Sequence, residues 1–174
     1  MVGAAVGLVA GKLGLSAPRT EAMQTNDFAS GGLGLSQNSF AEMYGGGEVG
    51  QGALIYEILG STYAVAGKQD VDVITSICWF APGQESIPFQ DAFAVIEQFL
   101  PSDASLRETY TTPAAGIGPF AMVEIYKSAG LAKAVAGQPT IVTSGSFMIA
   151  YQIGGGLDSN VRAVNAFIGE RSQG

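Results

Sequence analysis

The chain has 174 residues, with 8 Lys+Arg against 15 Asp+Glu, no histidine and one cysteine, for a net charge of −7. Without histidine it lacks the commonest general base near neutral pH and the commonest metal ligand, and with so few cations it lacks a basic track for nucleic acid or an anionic membrane surface. Hydrophobic residues are 47% and charged residues 13%, about half the usual charged share, so apolar surface covered by a partner or by copies of the chain is expected.

The first fifteen residues, MVGAAVGLVAGKLGL, place Gly3, Gly7 and Gly11 four apart, on one face of a helix that would let another backbone approach closely. With Leu8, Leu13 and Leu15 they are the candidate interaction residues. The stretch falls short of the ~20 apolar residues a membrane span needs, so there is no spanning helix, while peripheral membrane association stays open. As a secretory signal it lacks a basic start, and Ser16-Ala17-Pro18 only loosely resembles a cleavage site. Polar and glycine-bearing residues from Pro18 to Leu35 read as a linker. The expected organisation is an N-terminal arm over 1–34 and a single domain over 35–170.

Ser36 can cap a helix over 37–44, with Ser39 and Glu42 as an alternative capping box and Gly45 as the stop. Phe40, Met43 and Tyr44 are then its core face. Three segments rich in β-branched and aromatic residues follow, at 53–59, 62–66 and 71–80, separated by Gly60-Ser61 and Gly67-Lys68-Gln69-Asp70. They predict an antiparallel meander. Both faces of the third strand become apolar toward its end, which predicts a central strand covered by a helix. Cys78 lies inside that run with no cation beside it in sequence, and reads as a buried small hydrophobe.

The clearest helix follows Pro88, where Phe89, Ala92, Phe93, Ile96, Phe99 and Leu100 recur at helical spacing until Pro101 stops it. Further strands are predicted at 106–111, 121–127, 140–143, 147–153 and 161–168, with a short helix capped by Ser128 and closed by Gly137. The fold class is therefore α+β: an antiparallel meander sheet with two to three helices packed mainly on one face, plus the N-terminal arm.

Short motifs within this pattern carry a resemblance. They are Leu35-Ser36, Phe40-Ala41-Glu42-Met43-Tyr44-Gly45, Leu54-Ile55-Tyr56, Tyr63-Ala64-Val65, Phe99-Leu100-Pro101-Ser102-Asp103-Ala104 and Glu124-Ile125-Tyr126-Lys127-Ser128. Over about residues 35 to 168 the chain resembles uncharacterised bacterial envelope or secreted domains with the helix-plus-sheet architecture of β-lactamase-inhibitor-like modules. The resemblance implies an extracellular or cell-envelope location and binding rather than catalysis, and it transfers no functional residue.

No set of residues composes a catalytic site. Asp70 and Asp72 share a face at a strand start, an arrangement more often solvated than functional. Gly154-Gly155-Gly156 and Gly31-Gly32-Leu33-Gly34 lack the Lys-Ser/Thr context of a phosphate loop, and Ser144-Gly145-Ser146 has no histidine to activate a hydroxyl. No cofactor or metal is expected. The favoured function is a non-catalytic structural or interaction protein, a subunit of a larger assembly whose partners are copies of itself or other proteins. The alternatives are a secreted or envelope binding module, recognising a protein or small ligand on the sheet face or through the loops at 82–87 and 112–119, and an enzyme dependent on carboxylates, Tyr or Lys.

Overall fold

A computed structural model describes residues 30–50, 52–67, 72–83, 85–112, 120–138, 140–141, 143–153 and 160–169. Helix α1 (Gln37–Tyr44) opens the fold. Its start is fixed twice: the Ser36 hydroxyl accepts from the Ser39 amide at 3.0 Å, and the Asp72 carboxylate accepts from the Gln37 amide at 3.0 Å. Gly45 closes it at φ +85°, a left-handed position where glycine has no Cβ to strain. Phe40 is buried and Tyr44 packs beside it, as expected. Met43 is 48% exposed instead, because a helix of eight residues presents only a narrow stripe to the sheet and Phe40 with Tyr44 fills it.

The sheet is antiparallel throughout. Strands β1 (Glu48–Val49), β2 (Leu54–Ile58), β3 (Ser61–Gly67) and β4 (Ile74–Phe80) make the first meander. After β5 (Ile87–Pro88), two short helices follow, α2 (Phe89–Ala92) and α3 (Ala94–Glu97), joined by Phe93, which is itself α-helical at φ −66°, ψ −38°. Then come β6 (Ser105–Thr112), β7 (Phe120–Lys127), α4 (Ala129–Ala134), β8 (Ser146–Ile153) and β9 (Asn160–Ile168). The strand order is β1-β2-β3-β4-β9-β8-β7-β6, so two meanders meet at a β4–β9 seam, and β5 pairs with the end of β9. The fold is thus α+β, an antiparallel sheet with a few short helices, as the sequence predicts.

Strand alternation assigns the faces. Tyr63, Trp79, Val164 and Tyr151 lie in register across four strands, as do Val65, Ile77, Ala166 and Ile149. This face carries the main core, and every buried helix residue, from Phe40 to Ile96 and Leu131, packs into that cluster. A bulge at Thr75, where Ala66 faces Ser76 but Gly67 faces Ile74, breaks the alternation and turns Ile74 into the core with Ile77. Phe40 centres an aromatic group with Tyr44 at 4.6 Å, Tyr56 at 5.0 Å and Phe99 at 6.1 Å between ring centroids.

Two expectations need correction. Ser30–Gly34, assigned to the arm, belong to the packed body: Leu33 is fully buried, its amide donates to the Phe99 carbonyl at 3.0 Å, and Ser30 bridges Pro101. A Cβ at Gly31 would strike the Gln98 carbonyl and one at Gly32 the Ile77 side chain, so these glycines serve close approach to α3 and β4. The strand expected at 140–143 is absent at its described residues, 140, 141 and 143. Ile141 donates to the Gln138 carbonyl in a turn, and the Thr143 hydroxyl accepts from the Ser146 amide at 2.8 Å, a local bond that replaces a ladder partner. Strand β4 is central and carries helices on one face, with Phe80 48% exposed at its end.

Candidate functional site

The face opposite the helices has a composition unusual for a sheet surface. The register places Ala64, Cys78, Asn165, Ala150, Val123 and Tyr110 in one row across six strands, and Ala66, Ser76, Phe167, Met148 and Ile125 in the next. Charge enters the second row only at Glu108, on the outermost strand. Val123, Met148 and Ala150 are buried here by Tyr110, Ile125 and Phe167, in a small cluster built wholly from strand residues. No described helix packs on this face. Cys78 lies within it, half-buried rather than fully buried, and burial pushes its thiol up to about 11, so it is an apolar surface atom and not a nucleophile at neutral pH.

A second arrangement lies on the helix side, where the core approaches β6. On β7, Glu124 and Tyr126 share a face because they are two residues apart, and the neighbouring strand adds Tyr151. The Tyr151 hydroxyl donates to Glu124 Oε2 at 2.7 Å and the Tyr126 hydroxyl donates to the same oxygen at 3.0 Å. Tyr126 stacks on Phe147 at 5.3 Å and 12°, and Phe89 meets Tyr151 edge-on at 4.9 Å. Burial raises both phenols above the ordinary tyrosine value, and the Glu124 carboxylate raises them further, so both stay protonated donors well above neutral pH.

The sequence-stated candidates fare unevenly. Gly3, Gly7, Gly11, Leu8, Leu13 and Leu15 lie outside the described residues, as do Asp70, the 113–119 loop and Gly154-Gly155-Gly156. Asp72 is the cap of α1 described above. Gly145, at φ +91°, sits against Ser128 and Ala132 within a turn, so Ser144-Gly145-Ser146 forms a tight corner leading into β8. Asp103 accepts from the Ser128 hydroxyl and, at 2.8 Å, from the Gly130 amide, and Ser128 accepts from Leu131 N at 2.8 Å, so this pair ties α4 down. Among the described residues no group of three Asp, Glu or Cys could hold a metal ion, and no helix is long and apolar enough to cross a membrane.

The sequence analysis met Glu124 and Tyr126 only within a short motif and passed over Tyr151. The Glu-x-Tyr spacing was the available signal for half of the cluster. No protein-family model matches the chain, and no curated protein or solved structure matches it either.

Proposed function

We propose that the chain is a non-catalytic interaction protein that assembles with further copies of itself through the helix-free face of its sheet. The observation that carries this reading is the pair of nearly uncharged rows centred on Cys78 and Phe167, with Phe80 at their margin 48% exposed. Such a face suits a second copy because it is apolar on both partners, so the chain's net charge of −7 need not be brought into the contact. A contact of this kind gains by removing apolar area from water at roughly 25 cal/mol per Å².

The test is light scattering on the full chain and on a Phe80→Glu, Phe167→Glu double variant. Assembly in the parent chain and a single 17.8 kDa species in the variant is the expected result. A parent chain that runs as a monomer at all concentrations rejects self-assembly and favours a foreign partner on the same face.

A further inference from the structure

The helix-free face is divided by side-chain size. On the first-meander side of the β4–β9 seam it carries Ala64 and Ala66 on β3 and Ser76 and Cys78 on β4, all small, with Ile55 of β2 at their margin. On the other side the same two rows carry Asn165 and Phe167 on β9, Ala150 and Met148 on β8, and Val123 and Ile125 on β7. The four small residues stay partly exposed, as do Asn165, Phe167 and Ile125. One half of the face is therefore a shallow floor and the other a ridge. The step between them falls at the seam, with four strands of the sheet path on each side.

Two copies stacked face to face about a two-fold axis can be related in two ways, because that axis lies between the sheets and runs either across the strands or along them. An axis across the strands, through the row of Cys78, sets each strand over its own counterpart. Ala64 then faces Ala64 and Val123 faces Val123, so ridge meets ridge while floor meets floor and leaves unfilled space. An axis along the seam sets the ridge of each copy over the floor of the other. Met148 then lies over Ala66, Phe167 over Ser76, Asn165 over Cys78 and Ala150 over Ala64. Each of these contacts has a small member, which keeps the gap even at the roughly 10 Å of packed sheets.

We propose that two copies of the chain stack through this face about a two-fold axis that runs along the β4–β9 seam, ridge of one on floor of the other. The proposal rests on the self-assembly reading above and adds to it the orientation of the copies and the residues that meet. Because such a contact uses the same patch on both partners, it closes the assembly at two copies.

The experiment uses two full chains in a Cys78→Ser background, one with Ala64→Cys and one with Ala150→Cys. Each alone, and the two mixed and allowed to exchange, is treated with a short bismaleimide and read on a denaturing gel, with light scattering on the same samples. A cross-linked dimer in the mixture, and none in either chain alone, is expected. Should either variant fail to fold, Ala66→Cys and Met148→Cys form a second pair with the same expected pattern.

Assembled chains that cross-link alone put the axis across the strands and overturn the proposal. Assembled chains that cross-link in no combination overturn it as well, by moving the contact elsewhere, and leave self-assembly standing. A parent chain that light scattering finds monomeric rejects the self-assembly reading and this inference with it.

Discussion

Leu59 carries the one non-glycine residue with positive φ among the described residues, at +53°, and it is 89% exposed. With Gly60 at φ +78° it forms the two-residue turn between β2 and β3, in which both positions are left-handed, a geometry that suits Asn-Gly far better than Leu-Gly. The leucine gains nothing from burial to offset that strain. Leu59→Asn is therefore expected to stabilise the protein by about 0.5–1 kcal/mol in urea unfolding, and an unchanged or lower midpoint would contradict the turn assignment. At the same scale, the Glu124 cluster marks how far single residues could be read in advance. Glu124 and Tyr126 share a face by counting, but Tyr151 joins them only through the β7–β8 register, which no local pattern encodes.

Elements with local punctuation were legible, and those fixed by distant partners were not. Helix α1 follows from Ser36 and Gly45, the first meander from its β-branched runs and Gly60, and α4 from Ser128. The 140–143 segment has strand-forming residues, yet its hydroxyl and amide groups close on each other within a few positions, and propensity yields to that local closure. The tie from Asp72 to α1 spans 35 positions and was likewise hidden. Removing it in Asp72→Ala leaves one first-turn amide without its protein acceptor and takes a negative charge from the positive end of the helix. A loss of about 0.5–1 kcal/mol is expected in thermal unfolding; no loss would show that Ser36 alone sets the helix start.

The molecule as a whole is held by few charges, so its pH response should be traceable to a small number of groups. Burial alone would raise the Asp103 carboxyl, but hydrogen bonds from Ser128 and from the backbone amides of Gly130, Asp103 and Ala129 together hold it below the usual value. Its stabilisation is present above the unfolded value near pH ~3.9 and is lost as pH falls through the lower folded value. Tyr126 and Tyr151 act in the opposite sense. Raised by burial and then by Glu124, they stabilise below the unfolded value near pH ~10, and that contribution disappears as pH rises beyond it. A stability plateau between these limits is expected in urea titrations across pH, with the acid shoulder reduced in Asp103→Asn and the alkaline shoulder in Tyr151→Phe. Identical profiles for parent and variants would refute the assignment. The β4–β9 seam has a consequence in time as well as in space. Ser76 pairs with Phe167, so during synthesis the first meander emerges with β4 as a bare apolar edge that stays unmated until β9 appears. The nascent chain must therefore shield a ready-made template for wrong pairing over the production of half its length, and closing the sheet is a long-range, late and slow event.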